Sequence, residues 1–225
     1  MFQIKICGIT HRPDAFVAAA LGADAVGLNF YEKSPRFLPP SLAGNVAAAI
    51  PREVAKVGVF VNSAPDEVCR LADRLSLDFI QLSGDEPPPY LSALGGRSVI
   101  KAFRFPADGA KPIGQFLNQS RKLELMPSAI LIDAYQPDAY GGTGSTIDWP
   151  RLRDELQQID RHDLHVILAG GLTPDNVSEA IDAVEPNAVD VASGVEYAPG
   201  RKDAELVNRF IAAAAAAFAR QIAGY

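Results

Sequence analysis

The stretch VILAGGLTPD, residues 166–175, contains the pattern that decides the fold. It begins with a nearly continuous apolar run at 166–170, which is typical of a strand covered on both faces. It ends with Thr173-Pro174-Asp175, a typical helix start. Proline there has no N–H to leave unpaired, and aspartate suits the positive end of a helix. The stretch therefore predicts a buried strand followed directly by a helix.

The same unit recurs along the whole chain. Strands are predicted at 3–7, 24–30, 56–62, 79–83, 98–103, 129–133, 166–170 and 189–193. Helices are predicted at 14–21, 41–50, 66–75, 108–123, 149–159, 174–184 and 203–223. Alternation of strands and helices indicates a parallel sheet, and about 250 residues is typical of eight such units. We therefore expect an α/β protein in which residues 1–225 form one single-domain (β/α)8 TIM barrel.

A doubly wound open sheet is the alternative fold for this alternation. Such a sheet usually carries a Gly-rich fingerprint after its first strand, whereas this chain has Cys7-Gly8-Ile9-Thr10 there. The barrel is the better prediction.

Composition argues against several kinds of partner. The formal net charge is −6, and no stripe of Lys and Arg with interleaved aromatics appears, so we expect no nucleic-acid binding. The longest apolar stretch, 210–219, is shorter than the ~20 residues that a membrane span needs.

The cysteines and histidines predict a reduced protein without a metal. Cys7 and Cys69 are the only cysteines, too few for a disulfide framework, and neither they nor the three histidines have metal-ligand spacing. The first strand begins within a few residues of Met1, so no signal peptide is expected. We therefore expect a cytoplasmic location.

Small or reactive residues follow the predicted strands. In a parallel barrel the carboxyl ends of all strands open on one mouth, where the active site is found. The residues at these ends are Cys7-Gly8, Asn29, Asn62, Gln81, Ser83, Lys101, Asp133, Gly170-Gly171 and Ser193-Gly194. Their convergence predicts a site at this mouth.

The last two strands end in glycine-containing loops. Gly170 and Gly171 follow the seventh strand, and Ser193 and Gly194 follow the eighth. A lone Gly-Gly pair is more often only a tight turn. Two such loops at adjacent strand ends, however, let backbone N–H groups approach an anion, and barrels frequently bind phosphate there. We expect a phosphate site.

The role of Cys7 can be interpreted in two ways. A free cysteine is usually a small buried hydrophobe, but one at the mouth could be a reactive thiolate. At the reference pKa of about 8.5, roughly 3% is thiolate at pH 7, and lowering the pKa to about 7 would raise that fraction about fifteenfold.

Asp133, after four apolar residues, also has two readings. It could cap a helix or pair with a cation, or it could act as an acid at the mouth. A proton held at pH 7 would need the pKa of an aspartate raised by about three units, unless the proton arrives with the substrate.

Two loops near these residues could contact a ligand. Arg36 is either an exposed loop arginine or a residue whose guanidinium group binds a carboxylate through two hydrogen bonds. Gly141-Gly142-Thr143-Gly144 could form a lid, and it is not a nucleotide P-loop because no Gly-Lys-Ser/Thr follows.

Six motifs span residue 5 to about residue 203. They are Lys5-Ile6-Cys7-Gly8-Ile9-Thr10, Ser34-Pro35-Arg36, Gln81-Leu82 with Gly84, Asp133 followed by Gly141-Gly142-Thr143-Gly144, Ala169-Gly170-Gly171-Leu172, and Asp190-Val191-Ala192-Ser193-Gly194-Val195-Glu196. In this order they resemble the phosphoribosylanthranilate isomerase family of tryptophan biosynthesis.

The resemblance implies a cofactor-free Amadori rearrangement of N-(5′-phosphoribosyl)anthranilate. It implies that Asp133 is the general acid that protonates the furanose ring oxygen and that Cys7 is the general base that removes the proton from C2′. It also implies that Arg36 holds the anthranilate carboxylate.

The remaining site residues also come from the resemblance. It implies phosphate binding by Gly170, Gly171, Ser193 and Gly194, and further substrate contacts by Gln81, Gly142 and Asp190. The chain could be a monomer or a homodimer, with the last helix closing the barrel.

Ser83 departs from the family pattern, which commonly has His at this position, so substrate positioning near residue 83 is in doubt. Two rival functions are a histidine-pathway isomerase performing the same rearrangement and a non-catalytic phosphosugar-binding barrel. The first would be expected to have Asp in place of Cys7, and the retained Cys7 and Asp133 disfavour the second.

Overall fold

A computed structural model describes residues 1–105, 109–133, 148–161 and 164–223. Eight parallel strands close into a barrel in sequence order. They are β1 (Ile4–Cys7), β2 (Ala25–Asn29), β3 (Ala55–Phe60), β4 (Phe79–Leu82), β5 (Val99–Arg104), β6 (Ala129–Asp133), β7 (His165–Ala169) and β8 (Ala188–Val191). The predicted (β/α)8 barrel is confirmed, with each predicted strand shifted by at most two residues at either end.

Helices pack around the outside of the barrel. They are α1 (Arg12–Ala20), α2 (Pro40–Ala47), α3 (Pro65–Leu75), α4 (Lys111–Lys122), α5 (Trp149–Gln157), α6 (Val177–Val184) and α7 (Ala204–Ala223). Between β4 and β5 the connection is a 3-10 helix, Pro88–Leu94, where no helix was predicted. Successive prolines supply no backbone N–H, and this segment ends at Gly95, which has a positive φ of 61°, so no full α-helix forms.

The predicted start of α6 is wrong. The helix begins at Val177, not at Pro174. Asn176 causes the difference, because its Oδ1 accepts a hydrogen bond from the Thr173 N–H (2.8 Å) and its Nδ2 donates to the Gly171 carbonyl (3.0 Å). These bonds bend the chain into a turn ahead of the helix.

Two apolar layers fill the structure. The larger one lies between the strands and the helices, and the smaller one fills the barrel interior. The interior layer contains Phe2, Ala25, Val57, Ile100, Ala129, Leu131, Ile167, Ala169 and Ala188. Because side chains alternate along a strand, these residues identify the positions that face inward. Polar side chains occupy inward positions closer to the carboxyl ends of the strands.

Within the described ranges, no helix is both long enough and apolar enough to cross a bilayer.

Candidate active site at the carboxyl ends of the strands

The structure brings the two expected acid–base residues to the same mouth. Cys7 is the last residue of β1 and Asp133 is the last residue of β6. All eight strands run in parallel, and only β7 and β8 separate β6 from β1 around the barrel. Asp133 is half-buried, and its backbone is in register with Arg104 on β5. A thiol and a carboxyl group thus lie at the same end of the barrel.

Cys7 lies in a tight space beside β2. A side chain at Gly27, its register partner, would place a Cβ 2.5 Å from the Cys7 sulfur, so the missing side chain makes room for the thiol. Burial raises the pKa of the Cys7 thiol, and the Asp190 carboxylate raises it further, against the opposing charges of Lys5 and Lys202. This direction is opposite to the lowered pKa that would make Cys7 a reactive thiolate at neutral pH.

A fully buried lysine connects two expected substrate-binding residues. Lys5 has no exposed surface, and its Nζ donates to Asp190 Oδ1 (2.8 Å) and to Gln81 Oε1 (3.0 Å). Gln81 Nε2 donates in turn to Ser83 Oγ (3.0 Å). Burial lowers the pKa of Lys5, but Asp190 and Cys7 outweigh burial and raise it.

No role was predicted for Lys5 from the sequence. The signal was present, because Lys5 stands between Ile4 and Ile6 in a strand whose four residues are all buried. A charge at such a position needs a partner inside the protein.

Arg36 lies over the end of β1. Gly8 has a φ of +79°, and a Cβ there would lie 2.5 Å from Arg36 Cδ. Glycine at position 8 therefore allows the arginine to pass close to the backbone that follows Cys7. The Arg36 side chain is one-fifth exposed, at 21%.

The structure pairs Arg36 with a carboxylate of the chain itself. Arg36 Nε donates to both Glu196 oxygens (2.9 and 3.1 Å), and Nη2 donates to Oε2 (2.7 Å). These bonds use one edge of the guanidinium. Among the described residues none accepts a hydrogen bond from Nη1, so the other edge can bind a ligand carboxylate.

Glu196 is held by two cations. It begins β9 (Glu196–Ala198), which pairs with β10 (Arg201–Lys202). Lys202 Nζ donates to Glu196 Oε1 (2.7 Å) and to the Ala192 carbonyl (3.0 Å). Burial disfavours the Glu196 carboxylate, but hydrogen bonds from Arg36 and Lys202 outweigh burial and lower its pKa.

For Lys202, in contrast to Glu196, burial has a larger effect on the pKa than the ion pair has. Burial lowers the pKa of Lys202, and the contact with Glu196 does not restore it. Glu196 belongs to the last of the six motifs, but no role was predicted for it or for Lys202.

The loops after β7 and β8 touch each other. Gly170 and Gly171 have φ values of +92° and +64°, which glycine adopts without strain. A Cβ at Gly194 would overlap the Leu172 carbonyl oxygen, so glycine at 194 permits the contact between the loops. Ser193, which begins a 3-10 turn, is exposed beside this contact. The structure thus brings the four expected phosphate-binding residues together.

Two expected mouth residues have other positions or roles. Lys101 faces outward, because Ile100 and Ala102 belong to the barrel interior. Its Nζ donates to the Gly84 carbonyl (2.6 Å) and to Glu86 Oε2 (2.8 Å), forming a buried ion pair outside the barrel. Asn62 shapes the loop after β4, where its Oδ1 accepts from the Asp85 N–H (2.8 Å). The prediction that Lys101 lies at the mouth is wrong.

Gly142, expected to contact the substrate, lies outside the described residues. Within the ranges that the structure describes, no group of three or more His, Cys, Asp or Glu side chains is placed to hold a metal ion.

A closed parallel barrel with polar groups gathered at one mouth defines the class of the protein, a (β/α)8-barrel enzyme. The profile described as "N-(5'phosphoribosyl)anthranilate (PRA) isomerase" matches residues 4–213. The chain belongs to this family.

Relatives and solved structures agree with this assignment. N-(5'-phosphoribosyl)anthranilate isomerase of Geobacter metallireducens is 47% identical over 212 residues, which cover 94% of this chain and 98% of the relative. The crystal structure of phosphoribosyl anthranilate isomerase in complex with reduced 1-(o-carboxyphenylamino)-1-deoxyribulose 5-phosphate has a TM-score of 0.79 and 36% identity, covering 96% of this chain and 100% of that one.

A third similar structure bears on assembly. It shows monomers generated from the dimeric phosphoribosylanthranilate isomerase of Thermotoga maritima, with a TM-score of 0.78 and 34% identity. It covers 96% of this chain and 100% of that one.

Proposed function

We propose that this chain converts N-(5′-phosphoribosyl)anthranilate into 1-(2-carboxyphenylamino)-1-deoxyribulose 5-phosphate, a step of tryptophan biosynthesis, without a cofactor. Family membership supports the reaction. The observation that carries the chemistry is the position of Cys7 and Asp133 at strand ends that open on the same mouth.

Asp133 acts first, as the general acid. It gives a proton to the furanose ring oxygen while the bond from that oxygen to C1′ breaks, which leaves an iminium ion. A positioned proton transfer of this kind typically contributes about 10²–10⁴-fold to the rate. The half-buried position of Asp133 at the rim lets it reach a sugar held over the mouth.

Cys7 acts second, as the general base. Its thiolate takes the proton from C2′, the electron pair moves into the iminium group, and an enolamine forms. The enolamine then tautomerises: C1′ takes up a proton, the hydroxyl group on C2′ loses its proton, and the ketone forms. Because burial and Asp190 raise the pKa of the Cys7 thiol in the ligand-free protein, the thiolate is a minor form there. A cationic iminium next to the sulfur favours that form.

The substrate lies across the mouth from the β7–β8 side to Arg36. The phosphate binds backbone groups of Gly170, Gly171 and Gly194 together with Ser193. The anthranilate carboxylate binds the Nη1 edge of Arg36, whose orientation is fixed by Glu196. Gln81, Gly142 and Asp190 are the proposed further substrate-binding residues.

Residues 1–225 form one catalytic domain in this proposal, and the protein acts in the cytoplasm as a monomer or homodimer. The free thiols of Cys7 and Cys69 suit a reducing compartment. Light scattering on the purified protein distinguishes the two oligomeric states.

The test is a fluorescence assay with purified protein and no added metal or nucleotide. We expect rapid loss of phosphoribosylanthranilate fluorescence and appearance of an isomer of unchanged mass. A rate equal to that of the uncatalysed decay would reject the function.

A further inference from the structure

The barrel interior contains a buried charge that the proposed mechanism does not use. Lys5 has no exposed surface, and it is paired with Asp190, which is 8% exposed. An apolar residue of similar size would fill the same space without the cost of removing an ammonium from water. The pair therefore calls for an explanation beyond packing.

The position of the pair beneath Cys7 suggests that explanation. Lys5 and Cys7 are two residues apart on β1, so both side chains face into the barrel and Cys7 lies nearer the mouth. The lysine ammonium has three N–H donors, and Asp190 and Gln81 accept from it. Asp190 is the register partner of Lys5 on β8, and the two charges shift the pKa of the Cys7 thiol in opposite directions.

We propose that Lys5 and Asp190 are positioning residues that control the charge state of Cys7 in opposite directions. Lys5 stabilises the thiolate, and Asp190 both repels the thiolate and competes with it for the Lys5 ammonium. The significance for catalysis rests on the proposed role of Cys7 as general base.

Other charges around Cys7 modify this control. Lys202, from β10, opposes the rise in the pKa of the Cys7 thiol, as Lys5 does. Arg36 passes beside Gly8, the residue after Cys7, and Glu196 forms ion pairs with both Arg36 and Lys202. Asp133 faces the mouth from β6, and β2 presents only Gly27. Lys5 occupies the inward position that precedes Cys7 on β1, and Asp190 is its register partner on β8.

The experiment measures the pH dependence of Cys7 alkylation by iodoacetamide, which reacts with the thiolate. All variants carry Cys69→Ser, so that Cys7 is the only thiol available for alkylation. We expect Lys5→Met to raise the alkylation midpoint by at least about one pH unit and Asp190→Asn to lower it by a similar amount. Both substitutions remove the same ion pair, so mere disruption of the barrel would shift both midpoints alike.

Lys101→Met is the matched control, because it removes a buried lysine from an ion pair outside the barrel. Its midpoint should equal that of the parent. Unchanged midpoints in both test variants, or shifts of the same sign, would overturn the proposal. If Lys5→Met does not fold, Asp190→Asn decides alone, and a midpoint that is not lowered overturns the proposal.

This measurement is independent of turnover. The alkylation midpoints of the Lys5→Met and Asp190→Asn variants test the control of the Cys7 thiol, and the turnover of Cys7→Ala tests its role as general base. Opposite shifts of the two midpoints together with near-normal turnover of Cys7→Ala would support the first proposal and reject the second.

Discussion

The contact between the loops after β7 and β8 gives a sharp prediction for Gly194→Ala. The added methyl group would overlap the Leu172 carbonyl oxygen, and the two backbones must separate by roughly 1 Å to restore van der Waals distance. Displacing groups that hold a substrate by this amount can cost about 10²-fold, or about 2.7 kcal/mol. We expect the inhibition constant of inorganic phosphate and the KM of the substrate to rise by a factor approaching that value.

The assay is steady-state kinetics with phosphate as a competitive inhibitor, at constant ionic strength. Gly44→Ala is the control, because it makes the same substitution in α2, where an added Cβ meets nothing within 4 Å. That variant should keep the phosphate inhibition constant unchanged and gain about 0.5–1 kcal/mol of stability. A folded Gly194→Ala variant with normal KM and normal phosphate inhibition would refute the assignment of phosphate to these loops.

Three further predictions concern the mouth. Cys7→Ala and Asp133→Asn should each lower kcat by about 10²–10⁴-fold with a smaller change in KM, and near-normal turnover in either variant removes that residue from its role. Arg36→Met should raise KM by about tenfold or more, since a charged hydrogen bond contributes about 1.5–3 kcal/mol, and an unaltered KM argues against the carboxylate contact. Glu196→Gln should lower the free energy of unfolding at pH 7. Because the folded-state pKa of Glu196 is lowered, its contribution is present above the unfolded pKa and lost as pH falls through the folded one, so thermal melts of wild type and variant should converge in acid and not at neutral pH.

The sequence predicted the strands well because a barrel strand is covered on both faces. Runs such as residues 129–132 are continuously apolar, and their recurrence defines the order and ends of the strands. Because both faces of such a strand are covered, its sequence does not show whether a side chain points into the barrel or towards the helices. Lys101 lies between inward-facing Ile100 and Ala102, but the run around it has no alternation that reveals its outward direction.

Polar contacts between residues far apart in the sequence could not be predicted from local sequence patterns. Arg36 and Glu196 are separated by 160 residues, and Lys5 and Asp190 by 185. Each pair forms only because closure of the barrel brings the beginning and end of the chain together. The direction of the pKa shift at Cys7 depends on the same closure, since burial and Asp190 cause it.

Lys5 and Asp190 also join the first strand of the barrel to the last one. A growing chain that has not yet added β8 carries a lysine whose partner does not exist, and removing one partner from a buried pair costs about 3–5 kcal/mol. Such an intermediate cannot settle the ammonium in an apolar interior and must leave it in water. Addition of β8 therefore closes the barrel and, in the same step, supplies the carboxylate that allows the lysine ammonium to be buried.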